Sequence, residues 1–133
     1  MIAFLIQLEN KPGTVADAAD LIASKGINVI SGAGIGYGET GQMAMVTNDE
    51  AATRHTLQIN GYAFREVEIV PLTLQDTPGA FAKACRSLAD AGINIDAAFP
   101  MAGGGERNTI AFATSEPTKA RTILGQMSEI SAS

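Results

Sequence analysis

The segment LENKPGTVADAADLIASKGIN at residues 8–28 returns as LQDTPGAFAKACRSLADAGIN at residues 74–94, and this repeat sets the organisation of the chain. The second copy starts 66 residues after the first and aligns with it without a gap. The Pro-Gly pair of the opening turn and the closing Gly-Ile-Asn are identical in both copies. Self-similarity at one fixed spacing is the mark of a duplicated structural unit. The sequence therefore predicts two copies of one small domain, at residues 1–69 and 70–133.

The apolar residues of each copy change from a strand spacing to a helix spacing. In the first copy they alternate along residues 3–8, as in a strand with one buried face. Along residues 15–22 they recur at i, i+3, i+4 and i+7, which is the stripe of an amphipathic helix. The matching positions of the second copy repeat both patterns. Gly26 and Gly92 then end the helices, because glycine adopts a left-handed conformation at little cost.

The rest of each copy predicts a hairpin, a second helix and a fourth strand. The resulting βαββαβ order is that of a ferredoxin-like unit, an α+β fold with an antiparallel sheet and helices on one face. The chain ends where the last strand of the second unit would lie, so we expect a truncated strand there and a homodimer or partner contact at the open edge. The predicted strands are 27–33, 42–47, 63–69, 93–99 and 109–113, the second helices are 50–59 and 117–127, and the strand stub is 129–133.

Composition excludes several classes of partner. The net charge of −5 and the pI near 4.7 disfavour nucleic acid and anionic membrane surfaces, which require clustered basic residues. The apolar run after Met1 is short and leads into polar residues, so it reads as a strand rather than a signal peptide. No apolar stretch reaches membrane-spanning length. One cysteine is consistent with a reducing compartment, and we expect a cytoplasmic protein.

Each first strand ends in a short polar turn that opens directly into a helix. Proline fixes φ there, and glycine lets a ligand approach the backbone. Free amides and the helix dipole, worth roughly 0.3–1 kcal/mol for an anion, favour a carboxylate. Asp76 or the side-chain carbonyl of Asn10 would accept a hydrogen bond from an ammonium group. The candidate ligand residues are Asn10, Lys11, Pro12, Gly13 and Thr14 in the first copy and Asp76, Thr77, Pro78, Gly79 and Ala80 in the second.

Two alternatives apply to these candidates. Asn10 and Asp76 could simply cap the helices that follow them. Asn28 and Asn94, just past each helix, could contact a ligand from a neighbouring strand or subunit, or could satisfy only local backbone groups.

The strand ending in Asn/Asp-x-Pro-Gly, the Ala-rich helix and the following Gly-Ile-Asn-Val/Ile resemble the ACT domain family, twice in one chain. The resemblance implies that an amino acid binds at the turn between the first strand and first helix, often across a dimer interface, and regulates an enzyme or transcription. Short tandem ACT proteins without an attached enzyme domain are the most similar. The missing fourth strand of the second unit departs from the family pattern.

No catalytic or cofactor site is expected. The glycine runs Gly32–Gly38 and Gly103–Gly105 lack the spacing or context of dinucleotide and phosphate loops, and we interpret them as hairpins. His55 is isolated, and Cys85 belongs to an apolar helix stripe. We therefore expect a non-catalytic regulator that binds an amino acid or a similar small carboxylate. The alternatives are an interaction module that docks on a metabolic enzyme without a metabolite and, less favoured, a small ferredoxin-like enzyme.

Overall fold

The computed structural model describes residues 1–101 and 107–132, so the predicted hairpin glycines Gly103–Gly105 lie outside the described residues. Two compact units are present, Ile2–Val67 and Glu68–Ser133, the second together with Met1. The strands and helices follow in the order β1 (Ile2–Glu9), α1 (Thr14–Ser24), β2 (Val29–Tyr37), β3 (Thr40–Thr47), α2 (Glu50–Ile59), β4 (Phe64–Gln75), α3 (Ala80–Asp90), β5 (Ile95–Met101), β6 (Arg107–Thr114) and α4 (Pro117–Ala132). The predicted α+β class with tandem ferredoxin-like units is confirmed.

The first unit has the strand order β2-β3-β1-β4, and β3 pairs antiparallel with both β1 and β2. The register sets Phe4 opposite Met45, so the alternation read from the sequence turns one face of β1 toward the helices. That face meets the apolar stripe of α1 and the buried side of α2. Its core consists of Phe4, Ile6, Ile22, Ile27, Met45 and Leu57. Burying a side chain of this size contributes about 1.5–3 kcal/mol.

The second unit repeats this arrangement with the strand order β4-β6-β5. Its register sets Val70 opposite Phe112, which corresponds to the Phe4 and Met45 pair of the first unit. The core is again sealed by two helices, α3 and α4. It consists of Val70, Leu72, Leu74, Ala84, Leu88, Ile93, Phe112, Ala120, Leu124 and Met127.

β4 is one strand of 12 residues, although the sequence predicted a break before Pro71. The Ile69 amide donates to the Met1 carbonyl with an N···O distance of 3.0 Å, which is typical of a β-ladder hydrogen bond. Residue 71 would point its amide to the same side as Ile69, away from β6. Pro71 therefore removes no hydrogen bond from the pairing with β6, where it stands opposite Ala111.

The expected strand stub at 129–133 is wrong for the described residues 129–132, which continue α4 to Ala132. The segment follows the helix without an intervening glycine or proline and contains one β-branched residue, so nothing in it starts a strand. The described residues therefore present no truncated strand at which a partner could pair. The predicted helix stops are confirmed, since Gly26 and Gly92 have φ of 73° and 74°.

Candidate functional site

The two Pro-Gly turns share one backbone conformation. Gly13 and Gly79 are the N-cap residues of α1 and α3, and their φ angles of 94° and 88° lie in the left-handed region. A Cβ at either position would meet nothing within 4 Å. Glycine is therefore required by the backbone conformation and not by crowding.

Among the described residues, no side chain caps these two helices. By contrast α2 begins at Asp49, whose Oδ1 accepts a hydrogen bond from the Ala52 amide at 3.0 Å. The capping interpretation of Asn10 and Asp76 is therefore wrong. The first-turn amides of α1 and α3 receive no such side-chain acceptor.

Part of the first turn is closed by its own hydrogen bonds. The Lys11 amide donates to the Glu9 carbonyl at 3.0 Å, and the Thr14 amide donates to the Lys11 carbonyl at 3.4 Å. The Thr14 hydroxyl lies within hydrogen-bonding distance of the same two carbonyls, at 2.7 Å from Glu9 and 3.1 Å from Lys11. These bonds close the turn and occupy the amides of Lys11 and Thr14, which are therefore not free for a ligand.

Three amides of the first turn remain. Within the described residues, the main-chain N–H groups of Gly13, Val15 and Ala16 make no hydrogen bond. They stand at the positive end of the α1 dipole. The sequence predicted donors at Asn10–Thr14, and of those residues Gly13 alone keeps a free amide in the described structure: the Asn10, Lys11 and Thr14 amides bond within the protein and Pro12 has no N–H. The amides of Val15 and Ala16 were not predicted.

A cavity of about 210 Å³ lies between the first turn, the start of α1 and the β2–β3 hairpin, and of the three residues with free amides Val15 lines it. Gly34 pairs with Met43 and Gly36 with Gly41, so the two β2 glycines share the face that carries Met43 and is turned to the helices. Without side chains there, the space under the start of α1 stays open. The cavity is lined by Leu8, Glu9, Asn10, Lys11, Thr14, Val15, Gly34, Ile35, Gly36, Gly41 and Gln42.

Asn10 ties the turn to the hairpin. Its amide donates to the Glu39 carbonyl at 2.9 Å, and its Nδ2 donates to the Gly38 carbonyl at 2.9 Å. A Cβ on Gly36 would lie 2.5 Å from Asn10 Oδ1, so the glycine makes room for this side chain. Asn10 Oδ1 accepts no hydrogen bond from the described residues and is available to a donor in the cavity.

Two opposite charges stand at the rim of the cavity. Lys11 Nζ lies 2.8 Å from Glu9 Oε2, and both side chains are largely exposed. Their hydrogen bond, reinforced by charge attraction, lowers the pKa of Glu9 and raises the pKa of Lys11. Both groups are therefore charged at neutral pH, and they are paired with each other at the rim.

The second turn keeps the internal hydrogen bonds of the first. The Thr77 amide donates to the Gln75 carbonyl at 2.9 Å, and the Ala80 amide donates to the Thr77 carbonyl at 3.3 Å. Asp76 occupies the position in the second turn that Asn10 occupies in the first. The hairpin that corresponds to the one facing the first turn includes residues 102–106, which lie outside the described residues.

The two asparagines are not brought to the turns of their own units. Asn28 follows the C-terminal end of α1, the end opposite Gly13. Its amide donates to the side-chain Oδ1 of Asn48 at 2.9 Å, and its carbonyl accepts from the Asn48 amide at 3.1 Å. The Asn94 side chain donates to Asp96 Oδ1 at 3.0 Å. Any contact between Asn28 and the first turn therefore requires a second copy of the chain.

The remaining candidate residues, His55 and Cys85, do not line this cavity. No three His, Cys, Asp or Glu residues among those described are placed to hold a metal ion. Burial raises the pKa of the Cys85 thiol, so it stays protonated at neutral pH. His55 is exposed on α2. None of the described helices combines the length and the apolar character needed to cross a bilayer.

The residues that sequence reasoning missed are those that shape the cavity. Glu9, Leu8, Val15 and the β2 glycines line it, whereas the sequence pointed only to the turn itself. The available signal was the alternation of glycines along β2, which places them on one face of a strand. We interpreted that run only as a flexible hairpin.

Comparison with known proteins gives one family. The family described as "ACT domain pair" matches residues 3–130. No curated protein matches the chain. Among solved structures, protein BT0572 from Bacteroides thetaiotaomicron is 21% identical with a TM-score of 0.78, and the match covers 95% of this chain and 87% of that one.

Two similar structures concern aspartate kinase. The regulatory subunit of aspartate kinase from Thermus thermophilus, in its ligand-free form, is 20% identical with a TM-score of 0.64, covering 94% of this chain and 89% of that one. Aspartate kinase from Clostridium acetobutylicum is 10% identical with a TM-score of 0.65, covering 98% of this chain but 32% of that enzyme. At these identities the structures establish the fold, and the match over residues 3–130 establishes the family: the chain belongs to the ACT domain pairs.

Proposed function

We propose that the protein is a non-catalytic regulator that binds a free amino acid in the cavity beside the first Pro-Gly turn. The observation that carries this proposal is the start of α1, where the amides of Gly13, Val15 and Ala16 are unpaired and Val15 lines a cavity with a charge of each sign at its rim. Fold alone does not decide function, so the proposal depends on these groups.

The two ends of an amino acid have separate partners in this arrangement. The carboxylate accepts from the free amides and faces Lys11, and the helix dipole adds roughly 0.3–1 kcal/mol at an exposed terminus. The ammonium group donates to Asn10 Oδ1 and faces the Glu9 carboxylate. A keto acid has no ammonium group and would contact only the partners of the carboxylate, so we expect amino acids to bind more tightly than keto acids.

We further propose a homodimer formed through β2. In the described part of the chain β2 is an edge strand that pairs only with β3. It contains no charged residue, and Ile35 and Tyr37 are 79% and 92% exposed. Natural edges are normally protected by charges or proline, so an unprotected strand of nine residues favours pairing with another chain.

Pairing of two β2 strands would complete the ligand site. If the strands run antiparallel and cross at Gly32, the partner subunit's Asn28 reaches the level of Gly36, at the edge of the cavity. A ligand held there would contact both chains and favour the dimer. Regulation would follow by a shift between assembled states, read by a metabolic enzyme in the cytoplasm.

The ligand proposal is tested by thermal unfolding with each of the twenty amino acids and common keto acids. A ligand at one hundred times its Kd adds about 2.7 kcal/mol of stability, which for a chain of this length raises Tm by on the order of 10 °C. If no compound moves Tm while the protein captures a metabolic enzyme, the interaction module without a metabolite is favoured instead.

The dimer proposal is tested by light scattering coupled to size-exclusion chromatography. Ala33→Lys puts like charges near the centre of the β2 pair, and we expect the protein to become monomeric. Gln58→Lys makes the same charge change on the exposed face of α2 and should leave the mass unchanged. A monomeric wild-type protein at micromolar concentration would contradict the proposal.

A further inference from the structure

Building on the proposed function, we propose that each chain binds one α-amino acid with a small, uncharged, apolar side chain, and that only the first unit binds it. The inference rests on the walls of the first cavity and on the residues that replace them in the second unit.

The cavity offers apolar contacts to a ligand side chain. Leu8 lies on the core face of β1, and Val15 leaves 51% of its surface exposed at the start of α1. Opposite them the floor is the backbone of Gly34 and Gly36. A volume of about 210 Å³ is below the range of roughly 300–1,000 Å³ found for drug-sized ligands, so it suits a small molecule.

The two charges at the cavity match the two charges of a zwitterion, and the cavity has no further charged residue to pair with a charged ligand side chain among the described residues. Glu9 and Lys11 are the charged residues among the described residues that line it, and they balance each other. A basic or acidic ligand side chain inside it would be partly desolvated without a partner of opposite charge, which is unfavourable. Valine-like side chains have no such cost and gain from covering Val15 and Leu8.

The second unit keeps the turn but not the groups that make the cavity. Gln75 and Thr77 replace Glu9 and Lys11, so the pair of rim charges is absent from the second turn. Phe81 replaces Val15, and its ring stacks on Phe112 with 6.0 Å between centroids.

The floor changes as well. Pro100 stands opposite Ile110 just as Gly34 stands opposite Met43, so a proline ring takes the place that glycine leaves open in the first unit. Among the described residues, the second turn therefore has neither the pair of rim charges nor the open floor of the first.

Isothermal titration calorimetry on the full chain tests both parts of the inference. Valine, leucine and alanine are compared with lysine and aspartate, and 2-oxoisovalerate serves as the analogue of valine without an ammonium group. We expect one site per chain, and at least tenfold tighter binding of an aliphatic amino acid than of lysine or aspartate. Val15→Phe, which copies the second unit, should weaken binding at least tenfold, whereas the reciprocal Phe81→Val should leave it unchanged.

The outcomes separate this inference from the proposed function. Two sites per chain, or a weaker ligand affinity in Phe81→Val than in wild type, would overturn the restriction to the first unit. Tighter binding of lysine or aspartate would overturn the aliphatic class and leave amino-acid binding intact. If none of the amino acids gives a heat of binding, the proposed function itself is overturned. Melting curves of both variants establish that they fold.

Discussion

A single methyl group at Gly34 separates ligand binding from fold stability. The backbone of Gly34 has no positive φ, and a Cβ there would meet only the Gln42 carbonyl oxygen, at 3.9 Å. Gly34→Ala therefore fits the strand without strain. Alanine also restricts the unfolded chain more than glycine does, so the free energy of unfolding should rise by about 0.5–1 kcal/mol.

The same methyl group enters the cavity. A methyl group is similar in size to a water molecule, whose share of liquid volume is about 30 Å³. It therefore takes up part of the space that Gly34 helps to line. Overpacking a filled site costs about 1–3 kcal/mol, which corresponds to ligand binding about 5- to 140-fold weaker.

The expected signature is therefore opposite in sign for the two measurements. Urea unfolding of the ligand-free protein should show higher stability, and calorimetry with the tightest amino acid should show weaker binding. Gly125→Ala is the matched control, because Gly125 is exposed in α4 and a Cβ there would meet nothing within 4 Å. It should raise stability by up to about 1 kcal/mol and leave Kd unchanged. An unchanged Kd in Gly34→Ala would refute the placement of the ligand in this cavity.

Two further predictions concern stability. The buried Thr114 hydroxyl has no hydrogen-bond partner among the described residues, whereas the hydroxyl of its counterpart Thr47 lies 2.7 Å from Thr53 Oγ1. Thr114→Val should therefore raise the free energy of unfolding by about 1 kcal/mol, and Thr47→Val should lower it by a similar amount. Equal urea midpoints for the two variants would contradict this reasoning. Hydrogen bonds from Arg54 lower the pKa of Glu66 below its ordinary value of 4.5, so this pair stabilises the fold above that pH and its contribution is lost as pH falls below it. Glu66→Gln should therefore lower the free energy of unfolding at pH 7, and the variant should lose less stability than wild type between pH 7 and pH 3. If urea unfolding shows equal losses for both proteins, the Arg54–Glu66 pair does not cause the pH dependence.

Elements set by local signals could be predicted from the sequence. The helix at residues 50–59 has the predicted bounds, because Asp49 caps its first turn and Gly61, with φ of 75°, follows its end. The stops at Gly26 and Gly92 were predictable for the same reason. A capping oxygen or a left-handed glycine acts within a few residues, so its effect can be read without knowing the partners of the segment.

Features that depend on pairing could not be predicted in this way. Pro71 ends a strand only if its missing N–H would have faced a partner, and the chain alone does not say which side β6 occupies. The cavity likewise exists because Gly34 and Gly36 face the helices once β2 pairs with β3 in the observed register. A shift of one residue would turn both glycines to the other face and bring Ile35 under α1.

The duplication itself distinguishes the turn from the site. Gly13 and Gly79 have nearly the same φ, and both helices start without a side-chain cap, so the Pro-Gly turn serves the backbone in both units. Because that feature is common to the two copies, it cannot by itself mark the one that binds a ligand. The discriminating residues are those that differ, with Lys11 replaced by Thr77 and Gly34 by Pro100. In a tandem chain of this kind, the copy that retains both the rim charges and the glycine floor is the one in which to look for the ligand.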